Sequence, residues 1–432
     1  MKLAAEACPP AAAPAAPTMV AAKTTGISCT APAATDAFGF IVDVAAAGAA
    51  PTPGAAAEET IAAEARPPSA APKAATTAAA TKVPTTKANA TCSSNSAAAA
   101  STDAFGFIVD GAAAAAAVST PGTQNRRHRD CSVQLERWRK VRADWKRWGA
   151  TDHRSVTRLK LLVREGVPAG LRGQVWPLLC GAERRSAALF KRMAAARIPS
   201  DEEDTIARDV GRTFCDHVLF VEELGIGRAA LLRVLHAMSA AVPSVQYCQG
   251  SGYVASLLLM HMPEEQAFNV LHRLFTGERW MLGALYARGF PLLDALELQT
   301  QRLLEARAPA VLRRFEACGF HLKFVLLPWI MPLFLGRSGG ARFHFTFAIR
   351  LFDSFMVEGW PIMLRAVCAL IQMEAEALLR AEGVEGLMQH VQAIGSEMSG
   401  VAFESALASV SFSREEKKAM ARLAVEAAAM LP

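Results

Sequence analysis

No stretch of this 432-residue chain approaches the roughly 20 consecutive apolar residues that a membrane-spanning helix needs. The best candidate, Phe324 to Gly336, follows Lys323 and is interrupted by Pro328 and Pro332. Pro9, Pro10 and Pro14 break the N-terminus before an apolar signal segment can form. The nine cysteines include no CxxC pair, which argues against a zinc site or a disulfide scaffold. Together these absences predict a reducing, cytoplasmic setting. Also missing are a GxxxxGK[ST] phosphate loop, an HExxH helix and a GxSxG elbow. Gly225-Ile226-Gly227 has neither a third glycine nor a preceding strand, so it reads as a turn. His217, His236 and His261 show no metal spacing and read as packed or surface residues. No metal, no cofactor and no self-contained active site is expected.

Aromatics are equally scarce at one end. Residues 1–120 hold none of the 7 tryptophans and none of the 3 tyrosines, yet they hold 45 alanines and 11 of the 23 prolines. With almost nothing to bury, residues 1–125 are expected to be a disordered linker. One feature interrupts this composition. Thr35-Asp-Ala-Phe-Gly-Phe-Ile-Val-Asp43 recurs unchanged at Thr102–Asp110, and the two copies contain all the phenylalanines of the region. Such a segment can dock as a short strand or an aromatic anchor; duplication within low-complexity sequence is the plainer explanation.

At Asn125 the composition changes. Residues 126–165 carry 13 Lys or Arg against 5 Asp or Glu, a local excess larger than the +6 of the whole chain. Trp138, Val141, Trp145 and Trp148 share one helical face, with the basic residues around the rest. Docking of that face on the domain is the commoner arrangement and the expectation here. Peripheral contact with an anionic endomembrane is the alternative. Nucleic acid is not expected, since no recognised motif accompanies the charge.

Beyond residue 165 the apolar spacing is helical almost throughout. Ile206, Val210 and Phe214 form one stripe, Leu231, Leu235, Met238 and Val242 a second, and Phe268, Leu271, Leu274 and Phe275 a third. Ser200 with Glu203, and Ser413 with Glu416, have capping-box spacing. Pro361 sits in the first turn of another helix, whose face is Leu364, Val367 and Ile371. Only Arg342 to Phe347 alternates with period 2. The predicted fold is therefore all-α.

Two polar residues stand out in that pattern. On the helix beginning near Asp201, Arg212 lies about 160° from the apolar centre at Val210, so it projects outward. Asp209, three residues earlier, can hold its guanidinium; taken alone, this is an ordinary surface ion pair. Gln249, in Tyr247-Cys-Gln-Gly-Ser-Gly252, places a neutral amide at an open loop-to-helix junction.

Several motifs then fall in one order. Gly166-Val-Pro-Ala-Gly-Leu-Arg172-Gly173-Gln-Val-Trp176, Ile206-x-x-Asp209-x-x-Arg212-Thr-Phe214, Tyr247-x-Gln249-Gly250, Trp329 with Phe334, and Leu351-Phe-Asp353-Ser-Phe355 with Gly359 resemble the signatures of the TBC domain, the activating module for Rab-type GTPases. The Asp-x-Phe-Gly-Phe core of the repeated nonamer resembles a segment often found upstream of that domain. The resemblance covers roughly residues 125–380. It implies a multi-helical domain at 166–385, a lead-in helix at 126–165 and a helical extension at 386–432. It also implies that Arg212 and Gln249 are arginine and glutamine fingers, with Asp209 and Tyr247 supporting them. Arg172, Gly173, Trp176, Asp353 and Gly359 are then architectural. The partner is a GTP-bound Rab-type GTPase, which brings its own GTP and magnesium; the expected setting is vesicle trafficking. The same resemblance admits a silent scaffold that binds a GTP-loaded Rab without activating it. Two departures bear on the choice. Cys215 stands where the family usually has Pro, and Ser251-Gly252 where it usually has Met-Asn.

Overall fold

Apolar residues three and four apart recur from Leu159 to Met420, and the chain folds them as helices. The computed structural model describes residues 102–108, 121–148, 153–183, 187–337, 343–394, 407–408 and 410–429. Among these residues there are 18 α-helices and no β-sheet, only two isolated bridges. None of the described helices is long and apolar enough to cross a membrane. The all-α expectation therefore agrees with the structure.

Three helices lead in: α1 (Pro121–Ala143), α2 (Trp145–Trp148) and α3 (His153–Glu165). Eight follow: α4 (Arg172–Cys180), α5 (Ala187–Ala194), α6 (Ser200–Arg212), α7 (Ile226–Ala241), α8 (Ser251–Leu259), α9 (Glu264–Thr276), α10 (Leu282–Tyr286) and α11 (Pro291–Arg307). The remainder are α12 (Pro309–Cys318), α13 (Lys323–Ile330), α14 (Phe345–Glu358), α15 (Trp360–Met373), α16 (Ala375–Arg380), α17 (Gly383–Ala393) and α18 (Arg414–Ala429). Helix α7 is the common support of one half, packed by α5, α6, α8 and α9. Helix α14 packs on α3, α4 and α15, while α11 packs on α12, α15 and α18. All three predicted stripes face the core; Leu231, Phe268, Leu271 and Leu274 are fully buried.

Not every local signal in the sequence is realised in the fold. Helix α15 does begin with Pro361 in its first turn. The Gly359 before it has φ +67°, and a Cβ there would lie 2.6 Å from the Arg279 carbonyl oxygen, so only glycine fits. Ser413 and Glu416 form a reciprocal capping box, with bonds of 2.7 and 3.2 Å. Ser200 does not cap its helix. Pro199, with ψ 140°, occupies the cap, and its carbonyl takes the Glu202 and Glu203 amides, leaving Ser200 inside the first turn. The period-2 stretch forms no strand either. Phe345 opens α14 with His344 as its cap, and Phe343, Phe345 and Phe347 are all buried by turning into the core.

The aromatic face of the lead-in packs on the domain. Trp138 is fully buried and donates from Nε1 to the Gly166 carbonyl at 2.9 Å. Val141 is buried, while Trp145 and Trp148 are half-buried against the core, the latter with Arg158 stacked 4.6 Å from its ring centroid. The helix breaks at Asp144, so one continuous helix through Trp148 is corrected to two.

The linker expectation for 1–125 needs a second correction. Residues 1–101, including the first nonamer copy, lie outside the described residues. Thr102–Ile108 of the second copy is seated on the domain, with Phe107 in the core at 1% exposure and bridged to His217. Helix α1 already starts at Pro121. The repeat that interrupts the low-complexity sequence is thus anchored on the domain by its aromatics and by backbone bonds.

Candidate functional site

Arg212 is the last residue of α6, and its side chain is 48% exposed. The helix ends there because Thr213 turns to an extended backbone and Phe214 takes a left-handed φ of +49°, driving its ring into the core. A β-branched residue would be strained at that φ; phenylalanine is held there by burial. Thr213 donates its hydroxyl to the Asp209 carbonyl at 2.7 Å, which closes the last turn.

Asp209 faces the domain on the buried side of α6, with 4% exposure. One carboxylate oxygen accepts from Arg212 Nε at 2.5 Å, and the other accepts from the Tyr247 hydroxyl. A buried carboxylate with two donors holds both in place, and charge-assisted bonds are the stronger kind. Burial and the Asp209 charge push the Tyr247 hydroxyl well above the ordinary tyrosine range, so it stays a donor. The neighbouring Cys248 thiol is pushed up to about 12 by burial and by Asp209, which makes it inert.

Gln249 follows Tyr247 and Cys248 on the loop entering α8, and it is half-buried. Among the described residues, its side-chain amide has no hydrogen-bond partner. Two unusual backbone positions shape this loop: Gln246 at φ +59° and Gly250 at φ +108°. A Cβ on Gly250 would lie 2.8 Å from the Met331 carbonyl oxygen, which itself accepts from Tyr286. Gly252 meets the arginine-bearing loop. A Cβ there would sit 3.3 Å from Thr213 Oγ1 and from the Tyr247 hydroxyl oxygen. The two segments therefore touch through Asp209 with Tyr247, 38 residues apart, and through Thr213 with Gly252.

The remaining motif residues sit apart from this contact. Arg172 and Asp353 form a buried ion pair, with Nη2 to Oδ2 at 3.1 Å, and Trp176 Nε1 donates to the same carboxylate at 2.8 Å. Full burial holds the Asp353 carboxyl above its usual range, although Arg172 and Trp176 oppose the shift. Gly173 lies under His261, where a Cβ would come within 2.1 Å of the carbonyl oxygen. Burial, with Arg172 nearby, lowers the His261 pKa to about 3. Trp329 and Phe334 are both buried, with ring centroids 6.0 Å apart. Arg172 and Trp176 join α4 to α14, and Phe334 joins the segment after α13 to α14 through Phe347. Among the described residues, no cluster of His, Cys, Asp or Glu could hold a metal.

One feature of the stretch after Arg212 has no signal in the sequence. The segment after Phe214 exposes Val218, Val221, Leu224 and Ile226, with Leu224 at 99% and Ile226 at 83%. These residues follow no helical period, so no stripe in the sequence marks their exposure. Docking of the repeat, one of the two readings its sequence allows, is seen for Thr102–Ile108, whose Phe107 lies 5.5 Å from Phe214, ring to ring.

Residues 169–379 match the model of the Rab-GTPase-TBC domain. The chain is 32% identical over 247 residues to the ecotropic viral integration site 5 protein homolog of Homo sapiens, a match covering 57% of this chain and 29% of that protein. It is 30% identical over 302 residues to carabin of Mus musculus, covering 68% of this chain and 63% of the relative. It thus spans less than two thirds of either curated relative. Among solved structures, the Chlamydomonas flagellar RabGAP TBC domain is similar at TM-score 0.54 and 25% identity, covering 72% of this chain and 100% of that one.

Proposed function

We propose, from the premise that residues 169–379 are a Rab-GTPase-TBC domain, that this chain is a GTPase-activating protein for Rab-type small GTPases. The observation that supports an active rather than a silent domain is the Asp209 carboxylate shared by Arg212 and Tyr247. It ties the helix bearing the arginine to the loop bearing the glutamine before any partner arrives.

A small GTPase hydrolyses GTP slowly because charge on the transferring phosphoryl group is poorly neutralised and the attacking water is poorly held. Arg212 supplies the first need. Its Nε is engaged by Asp209, which leaves the Nη groups to face the γ-phosphoryl oxygens as charge develops there. Gln249 supplies the second, because an amide both donates and accepts and can therefore orient the water. Pre-set geometry matters here, since an arginine fixed by a buried carboxylate loses little rotamer freedom on entering the partner. Val218, Val221, Leu224 and Ile226, exposed in the stretch that follows it in the chain, offer apolar area for a protein partner. Nucleotide and magnesium come with the partner.

A GTP-hydrolysis screen of this chain against a full panel of Rab proteins tests the reading. Acceleration of at least one Rab is expected. Tight binding of a GTP-loaded Rab with no acceleration of any Rab would leave the scaffold reading in its place.

A further inference from the structure

The docked segment Thr102–Ile108 makes its own turn. Asp103 Oδ1 accepts the Phe105 and Phe107 amides, each at 2.9 Å, and the Asp103 carbonyl accepts the Gly106 amide at 3.1 Å. The domain reads the turn by backbone and by rings. The Ile108 amide donates to the Asp216 carbonyl at 2.8 Å, and the Val218 amide donates to the Gly106 carbonyl at 2.9 Å. His217 Nδ1 accepts the Leu219 amide, so its Nε2 carries the hydrogen and donates to the Phe105 carbonyl at 2.8 Å. The Phe107 ring stands 4.8 Å from Phe345 and 5.0 Å from His217, with the Arg337 guanidinium 4.1 Å from its centroid. Glycine is required at 106. Its φ is +89°, and a Cβ would sit 2.8 Å from His217 Nε2.

Each side chain or conformation used here recurs in the first copy: Asp36 for Asp103, Phe38 for Phe105, Gly39 for Gly106, Phe40 for Phe107 and Ile41 for Ile108. A surface that recognises one copy by these contacts cannot distinguish it from the other. The copies are separated by 58 residues, an extended reach of roughly 190 Å. The entropic cost of closing a longer loop grows only with the logarithm of its length.

We propose that the groove formed by Phe214, Asp216, His217, Val218, Arg337 and Phe345 is a sequence-specific peptide site for Asp-Ala-Phe-Gly-Phe-Ile, and that Thr35–Asp43 of the same chain occupies it in exchange with Thr102–Ile108. Phe214 lies two residues after Arg212, so whichever copy is seated supports the arginine-bearing loop. The repeat thus provides a second ligand for one site, and any segment of this sequence class displaces both.

The test compares full-length wild type, Phe40→Ala, Phe107→Ala and the double variant by melting temperature and by sedimentation. Phe40→Ala is expected to be silent, and Phe107→Ala to fall little because Phe40 replaces it. The double variant is expected to fall by about 5 °C or more beyond the sum of the two. All are expected to sediment as monomers. A Phe107→Ala chain that melts as low as the double variant overturns the proposal, as does rescue found only in a dimer. Independently of variant folding, a labelled TDAFGFIVD peptide should bind wild type by exchange, and TDAFAFIVD at least tenfold more weakly. Equal binding of the two peptides, or none by the first, also overturns it.

Discussion

Tyr247 donates its hydroxyl to Asp209, 38 residues earlier in the chain. Through that bond the loop carrying Gln249 is fastened to the helix carrying Arg212. Tyr247→Phe removes the donor and little else. Stimulated hydrolysis should fall roughly tenfold, the equivalent of about 1.4 kcal/mol of lost positioning. Affinity for the GTP-loaded partner should change far less, because the positioning acts in the transition state. Single-turnover hydrolysis and equilibrium binding measured on the same protein check this split. Equal losses in both would mean that the loop is a binding element only.

The Arg172–Asp353 pair should behave in the opposite way. Arg172→Ala leaves the Asp353 carboxylate fully buried without its counter-charge, with only hydrogen bonds such as that from Trp176, a change that costs about 3–5 kcal/mol. Denaturant unfolding should show that loss, while the folded fraction stimulates hydrolysis normally. Loss of activity at unchanged stability would move these residues from architecture to the site.

Trp138 separates docking from membrane contact. Its ring is fully buried and bonded to Gly166, so Trp138→Ala should lower stability by about 3–5 kcal/mol. Trp148→Ala, at a half-buried position, should cost less. Binding to anionic liposomes should not follow the same order; if Trp138→Ala abolishes it at unchanged stability, the lead-in is a membrane element.

How far the sequence could be read depends on whether a residue's role is periodic or point-like. The stripes of α6, α7 and α9 were legible because burial repeats every three or four residues. Arg212 was legible for the complementary reason, lying opposite such a stripe. The bond between Asp209 and Tyr247 was not, since nothing in either segment encodes which oxygen meets which hydroxyl across 38 residues. Gly252 shows the same limit. Read as a departure from the usual Asn, it proves to be where a Cβ would press on Thr213 and Tyr247. The Ser200 box failed because a neighbouring Pro199 took the cap, a local competition that spacing alone does not rank. The nonamer's seat on Phe214 required the domain surface itself.

Acid should loosen the domain through histidines held neutral. Burial lowers the pKa of His217, which faces Asp103, Asp216 and Arg337, and lowers that of His261 to about 3. The unfolded chain binds these protons near pH ~6.5, whereas the folded chain does so only at lower pH. Between those values the unfolded state holds more protons, so stability is full above pH ~6.5 and falls as pH drops through the window. The slope is up to ~1.4 kcal/mol per pH unit for each histidine. Melting scans from pH 7.5 to 5 should show the decline, and His217→Gln should flatten part of it. A pH-independent melting temperature would contradict the neutral assignment.

The most direct measurement is single-turnover GTP hydrolysis by a responsive Rab whose own catalytic glutamine has been removed. It is measured with wild type, Arg212→Ala and Gln249→Ala. If this chain supplies both groups, wild type still accelerates the crippled Rab. Arg212→Ala then loses on the order of 10³-fold or more, and Gln249→Ala loses the acceleration although it still binds. Failure of wild type to accelerate that Rab, while it accelerates the intact one, would contradict the glutamine assignment. Unchanged rates with Arg212→Ala would contradict the account as a whole.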